Sequence, residues 1–446
     1  MAIVHGAEFG TRETYRLLAS HFARRGVATL IYDKRGTGES AGSFATATFD
    51  DLTADALAAV SLLRADADID PARVGLAGMS QGGWIIAQAA NQSDDVAFLV
   101  ALSASGFTPA EQAAWLTGSM LAVRGFEQRA IDASARVWGM MYSSLDLIEA
   151  GLIEPMPSVP GFWFHALDPH LETGALWERV RQPVLGLWGE MDCQVPAHDS
   201  LAAVKAALER GPNRAYRLQI LPGADHGMAL AGACEREIGA HHGGRYQYAS
   251  GYLDGPAEWI KSLEPESRGR EVIVPAERAD SLLGWHQSPD TTVPWFGSLA
   301  PQLAMPIALL VLFAAMAITA SIGRALSIAR GRAQPGASPT LLWGGAGLVG
   351  SLATLVGLVA LVELLMLADL MSAPIIDGVA VDGISTVFAA AGFLAVATVI
   401  AVAAALISDA RHGSLRAVRP AAGITAVVGL VVWAGYWGFL PVPSFG

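Results

Sequence analysis

Two kinds of hydrophobic pattern divide this sequence. Up to about residue 263, short apolar runs alternate with stretches whose apolar positions recur at helical spacing; beyond residue 300 the apolar runs lengthen past 20 residues. The runs at 27–32, 74–77, 96–102, 184–188 and 216–221 predict buried strands, and the periodic segments 49–64, 83–90 and 252–263 predict helices. Strands that alternate with helices in this way imply a mostly parallel α/β sheet, because each parallel neighbour needs a crossover that covers a sheet face. The interval 107–181 breaks the rhythm: it reads as helical, holds many Trp and Met, and is too long for a connecting loop, so it predicts a cap inserted into the α/β domain of residues 1–263. Residues 264–300 are polar and contain Pro265, Pro275, Pro289 and Pro294, which predicts a linker.

The remaining part, 301–446, contains four stretches without Asp, Glu, Lys or Arg: 301–323, 340–362, 383–408 and 420–446. A helix needs about 20 apolar residues to cross the hydrocarbon core of a bilayer. The pattern therefore predicts four transmembrane helices, at about 305–323, 341–362, 384–407 and 421–440. Arg324, Arg330 and Arg332 follow the first stretch, and Arg411, Arg416 and Arg419 follow the third, whereas Glu363, Asp369, Asp377 and Asp382 lie between the second and third. Basic connectors stay on the cytoplasmic side, so residues 1–300 are expected on the extracytoplasmic side of a multi-pass membrane protein. An exported domain needs a signal sequence, and Met1-Ala2-Ile3-Val4 leads straight into His5-Gly6 with no basic, apolar and cleavage regions. The expectation is that the true start lies upstream.

Composition agrees with this division. Of 446 residues, 52% are hydrophobic and 16% charged, and the mean hydropathy is +0.40; soluble domains carry about 25% charged residues. The net charge is -12, and no Lys/Arg-rich run is present, which excludes a nucleic-acid partner held by phosphate neutralisation. Two cysteines, Cys193 and Cys234, are too few for a disulfide framework or a cysteine-rich zinc site.

The chemistry-bearing signal is Gly78-Met79-Ser80-Gln81-Gly82, a Gly-x-Ser-x-Gly that follows a predicted strand and opens a predicted helix. That context is what a nucleophile elbow requires, since the tight turn admits only small residues two before and two after the Ser. A Ser nucleophile needs a base, and the base needs an orienting acid. Asp192 follows the run at 184–188 and His226 follows the run at 216–221, which gives the order Ser, Asp, His at successive strand ends. Glu190 and Asp199 compete with Asp192 for the acid role; Asp199 is expected to cap a helix over 200–208, and Asp225 to face solvent. His5 is expected to pack beneath the loop that follows it. His241-His242 lacks the i, i+4 spacing of a helix-borne metal pair, and the glycines of Asp33-Lys34-Arg35-Gly36-Thr37-Gly38-Glu39-Ser40 lack the Gly-Lys-Ser/Thr of a phosphate loop. No cofactor and no metal is expected.

With these motifs, residues 1–263 resemble the α/β-hydrolases, and within them the serine hydrolases that include dienelactone-hydrolase-like esterases, monoacylglycerol lipases and serine aminopeptidases. The resemblance rests on His5-Gly6-Ala7, the Asp33 to Ser40 motif, the Ser80 elbow, the segment from Gly189 to Pro196, and Gly223 to His226. It implies an oxyanion hole made by the backbone N–H groups of Ala7 and Gln81, and acyl transfer by Ser80, His226 and Asp192 with no metal or organic cofactor. Cleavage of carboxylic esters or thioesters leads. An aminopeptidase or prolyl-type peptidase is the alternative with the same mechanism, and Glu111, Glu127, Asp132 and Glu154 are the cap acids able to hold a substrate amino group. A non-catalytic ligand-binding membrane module is the alternative of a different class. The expected partners are thus a small acyl ester or short peptide and the lipid bilayer. In this fold the loops after Asp192 and His226 are neighbours, which makes a Cys193–Cys234 disulfide the counterpart of two free thiols. Trp115, Trp138, Met140, Met141, Trp163 and Trp177 supply either an apolar acyl pocket or the cap's own core.

Overall fold

The computed structural model describes residues 1–7, 10–44, 46–123, 126–142, 168, 171–230, 247–263, 269–274, 294–331, 339–370, 381–412 and 418–440. It divides into two compact units, one of Met1–Val123 with Pro155–Asp290 and one of Arg124–Glu154 with Thr291–Gly446. Two expectations change here. The inserted segment is shared between the units, and the segment expected as a linker contributes a strand to the first.

In the first unit, β1 (Ala2–Val4), β2 (Leu76–Met79), β3 (Leu99–Leu102), β4 (Val184–Gly189), β5 (Ala215–Leu221) and β6 (Gly269–Ile273) form one sheet in that order. Every neighbouring pair is parallel. Successive strand residues point to opposite faces, and both faces are apolar. Leu99 and Ala101 join Val4, Leu76, Val184, Trp188, Leu218 and Ile220 on one side. Val100 and Leu102 join Ile3, Ala77, Leu185, Leu187 and Leu221 on the other. Helices α2 (Phe49–Arg64), α3 (Gly82–Gln92), α6 (Thr173–Arg179) and α7 (Ala197–Arg210) cover the first side. Helices α1 (Arg16–Arg24) and α8 (Asp254–Ser262) cover the second. Trp177, expected in the cap, lies on α6 fully buried in this sheet core.

Local chemistry sets several of these boundaries. Thr48 accepts a hydrogen bond from the Asp51 amide at 3.1 Å while Asp51 accepts one from the Thr48 amide at 3.0 Å, a capping box that starts α2 where the pattern places it. Helix α7 begins earlier than expected, after extended Pro196, so Asp199 sits inside its first turn and does not cap it. The predicted strand 27–32 is reduced to a single bridge, Ala2 to Leu30. It lies at the edge beyond β1, where Leu30 exchanges two backbone hydrogen bonds with Met1 and Ile3. The chain thus leaves β1 outward and returns on β1's other side as β2, so neighbouring connections diverge at their carboxyl ends. Such reversals open the crevice in which α/β proteins bind ligands.

The insertion begins with α4 (Pro109–Val123), which stays with the first unit, and continues as α5 (Gln128–Tyr142), which belongs to the second. There α5 packs beside α9 (Leu299–Ala329), α10 (Pro339–Leu370), α11 (Val381–Arg411) and α12 (Val418–Tyr436), making its contacts with α10 and the short turn Trp295–Gly297. The Arg136 guanidinium lies 5.7 Å from the centre of the Tyr436 ring. Among the described residues of this unit, four helices are long and apolar enough to cross a membrane. They touch in a closed cycle, α9 to α10 to α11 to α12 and back to α9. Small residues let them approach: Gly350 sits against the Phe313 ring and Gly423 against the Trp343 ring. Gln302 is buried among them and accepts hydrogen bonds from the indole N–H groups of Trp433 and Trp437 at 3.1 and 2.8 Å. Helices α10 and α11 run past the expected spans, to Leu370 and from Val381.

Candidate active site

The carboxyl ends of β2, β4 and β5 carry the three residues singled out by the sequence. Ser80 follows β2 with φ +53°, a conformation strained for a residue with a side chain. Its amide donates to the Leu102 carbonyl at 2.8 Å, and α3 starts two residues later. The turn closes because Gly82 has no Cβ: one there would meet the Val4 and His5 carbonyl oxygens at 2.7 and 2.9 Å. The elbow is therefore pressed against the end of β1, and Ser80 remains partly exposed above it.

Asp192 lies in the turn after β4. Its Oδ1 accepts from the Gln194 and Val195 amides at 2.8 and 2.9 Å, and its Oδ2 lies 2.8 Å from His226 Nδ1. Both side chains are buried. Glu190 does a different job: its carboxylate accepts from the Gly223 amide at 3.0 Å and braces the turn that carries the histidine. The His226 carbonyl accepts from Ser103 Oγ at 2.9 Å. Ser103 follows Leu102, the residue that also receives the Ser80 amide, so the β3 end links the serine turn to the histidine turn. Ser103 was not singled out from sequence, and a single Ser after an apolar run offers no signal that would have found it.

Asp225 departs from expectation. It is buried, its Oδ1 accepts from the Ala229 amide at 2.8 Å, and burial raises its carboxyl above the ordinary range. The hairpin-like turn it closes holds the histidine, which is why the chain buries it. His5 is buried beneath the loop after β1, with Nε2 2.6 Å from the Tyr32 carbonyl and its ring edge-on to Tyr15 and Tyr32. Gln81 stands just before α3; its side-chain Oε1 accepts from Lys34 Nζ at 2.9 Å, and the same ammonium donates to the Gly6 carbonyl, next to Ala7, at 2.6 Å. In the sequence, the only signal for Lys34 is its place in the glycine-bearing Asp33 to Ser40 motif.

Cys193, directly after Asp192, is buried and disulfide-bonded. The chain's second cysteine, Cys234, lies outside the described residues, as do Trp163, Glu154 and His241-His242. Helix α4 overhangs this turn, with Ser119 Oγ donating to the Cys193 carbonyl at 2.9 Å and the Gln112 amide donating to the Gln194 carbonyl. Trp115 and Met120 on α4, and Trp138 and Met140 on α5, are buried. Among the described residues no group of His, Cys, Asp and Glu is placed to hold a metal ion.

A parallel sheet with helices on both faces and a strained serine turn between a strand and the next helix defines an α/β-hydrolase. The chain belongs to the family described as serine aminopeptidase, S33, which matches residues 1–230. No curated protein matches it. Similar solved structures include Est1E from Butyrivibrio proteoclasticus with bound ferulic acid, at 21% identity and a TM-score of 0.35, covering 58% of this chain and 85% of that one. The Paleococcus ferrophilus monoacylglycerol lipase is similar at 16% identity and a TM-score of 0.36, covering 58% and 92%. The Pyrococcus furiosus esterase Pf2001 is similar at 15% identity and a TM-score of 0.35, covering 58% and 81%.

Proposed function

We propose that the chain is a membrane-tethered serine hydrolase that cleaves carboxylic esters or thioesters on the extracytoplasmic side. The observation that carries this reading is the buried Asp192–His226 pair, 2.8 Å apart, linked through Ser103 and Leu102 to the strained Ser80 turn. In this mechanism Ser80 Oγ attacks the substrate carbonyl while His226 Nε2 takes its proton. Asp192, held by two backbone amides, fixes the proton on Nδ1 and stabilises the imidazolium that forms. The Ala7 and Gln81 amides receive the developing oxyanion. His226 then protonates the leaving group, and water hydrolyses the acyl-enzyme.

Two further observations support the placement. A disulfide at Cys193 fits an oxidising compartment, with Cys234 as its proposed partner, and the Arg-bearing connectors fit a cytoplasmic side opposite to the hydrolase unit. The cap acids that would serve a peptidase have other partners where they are described. Glu111 accepts from Thr108, Glu127 pairs with Arg129, and Asp132 accepts from Gln128. Of these only Glu111 lies in the first unit, and its engagement at the start of α4 favours an ester over a peptide with a free amino group.

Fluorophosphonate labelling of membranes containing the full chain tests the reading, with Ser80→Ala in parallel. Labelling that depends on Ser80, with turnover of p-nitrophenyl acyl esters exceeding that of aminoacyl p-nitroanilides, is the expected result. A folded protein that neither labels nor turns over refutes it. Thiol titration that finds two free thiols in the unreduced protein removes the compartment argument.

A further inference from the structure

We infer that Lys34 is a positioning residue for the oxyanion hole, and that the Asp33 to Ser40 turn is the clamp that carries it. The inference rests on the serine-hydrolase reading above and assigns a role to a motif that reading leaves unused. The turn grips the loop after β1 at both ends. Lys34 Nζ donates to the Gly6 carbonyl at 2.6 Å. The Lys34 amide and the Thr37 hydroxyl both donate to the Gly10 carbonyl, at 3.1 and 2.8 Å. Asp33 rigidifies the clamp itself: its carboxylate accepts from the Arg12 amide and guanidinium at 2.8 and 2.6 Å and from the Glu39 amide at 3.0 Å.

The Gly6 contact bears on chemistry because of peptide geometry. The Gly6–Ala7 peptide is trans, as no cis bond occurs among the described residues, so its C=O and N–H point in opposite directions within one plane. Holding the Gly6 carbonyl on the ammonium directs the Ala7 N–H away from Lys34 and fixes its orientation before substrate arrives. The same ammonium holds the Gln81 side chain at 2.9 Å. One buried cation therefore ties together the two residues whose amides form the proposed hole. Its charge also polarises the Gly6–Ala7 amide, since hydrogen bonds in a chain strengthen one another. Preorganised donors of this kind stabilise charge that develops only in the transition state.

The test uses the full chain in detergent, with p-nitrophenyl ester turnover, a trifluoromethyl ketone that forms a tetrahedral alkoxide on the serine, and a non-hydrolysable ether analogue of the ester. Losing one oxyanion donor outright costs about 100- to 1000-fold in kcat, so disorienting one in Lys34→Met is expected to cost about 10- to 100-fold. KM and ether affinity should stay within about twofold, and ketone affinity should fall in proportion to kcat. Thr37→Val, which removes the hydroxyl's contacts to the Gly10 and Lys34 carbonyls and leaves the Lys34 ammonium on Gly6 and Gln81, should lower Tm while keeping kcat within about threefold. Wild-type kcat in folded Lys34→Met overturns the inference, as does a loss confined to KM or a Thr37→Val loss of equal size. Should Lys34→Met not fold, Lys34→Ala is read instead: its side chain donates to neither oxygen, and an undiminished kcat overturns the inference as well. Fluorophosphonate end-point labelling of the wild type separates the two levels. An unlabelled wild type refutes the serine-hydrolase reading, whereas a labelled, active wild type with an indifferent Lys34 refutes only this one.

Discussion

The hydrolase unit and the helical unit place their large apolar side chains differently. In the first, large apolar side chains such as Leu76, Val100 and Trp188 fill both sheet faces, and the polar chemistry gathers at one edge of the sheet. In the second, large apolar side chains point outward: Leu303, Ile307, Val311, Ile318 and Ile322 share one exposed stripe of α9, and Phe393 on α11 is 74% exposed. Its interior mixes aromatic side chains such as Phe313, Phe388, Trp433 and Trp437 with small residues and a few polar groups, including Gln302, Thr354 and Thr398. Under the proposed membrane reading the difference is one of solvent. Water drives apolar surface together, but between helices in hydrocarbon that drive is absent, and close packing and interhelical hydrogen bonds replace it.

Substitutions sharpen this contrast. The largest effect is expected at the polar edge. In Asp192→Asn the side-chain oxygen still accepts from Gln194 and Val195, but its NH2 group faces His226 Nδ1 and forces the wrong tautomer. Ester turnover should fall about 10,000-fold with little change in Tm. Next come paired truncations. Leu99→Ala, in the fully buried core of the first unit, should cost about 2–5 kcal/mol in denaturant titrations. Phe393→Ala, on an outward face, should leave the stability of the detergent-solubilised chain nearly unchanged. Equal losses would break the comparison.

A smaller effect is expected inside the helical unit. Gln302→Leu leaves the indole N–H groups of Trp433 and Trp437 without their acceptor, at about 1–3 kcal/mol, measured as thermal aggregation in detergent. The smallest concerns Asp33, whose carboxyl is held below the ordinary range first by the Arg12 side chain, then by the Arg12 and Glu39 amides. A depressed carboxyl stabilises the fold fully above its unfolded pKa of about 3.9 and loses that contribution as pH falls below it. Asp33→Asn should therefore lower Tm at pH 6 and narrow its difference from the wild type at pH 3.

The residues that were legible in the sequence are those whose role depends on neighbours in the chain. Gly78, Ser80 and Gly82 announce a tight turn because the turn's sterics act within five residues. The strands at 99–102 and 184–189 announce themselves because burial on both faces demands unbroken apolar runs, and 215–221 does so by alternation, with Arg217 and Gln219 between apolar residues. Strand β6 was illegible because Gly269–Ile273 is exposed along its length and pairs only at the sheet edge, so no apolar run marks it. Asp225 was misread as a solvent-facing loop acid because its burial comes from a turn folding back over it. Helix α5 was read with the cap because nothing in its own spacing says that it packs beside α10.

Sequence by itself determined the class of the fold, the serine turn, the order of the three site residues and the four helices long and apolar enough to cross a membrane. These follow from local sterics and from side-chain periodicity, both of which act over a few residues. Only the tertiary structure decided that Asp192 and not Glu190 meets His226, that Ser103 joins two turns, and that Lys34 holds the Gly6 carbonyl. Each depends on backbone atoms brought together from strands far apart in the chain, and a hydrogen bond to a carbonyl or amide leaves no mark on the identity of the residue that supplies it.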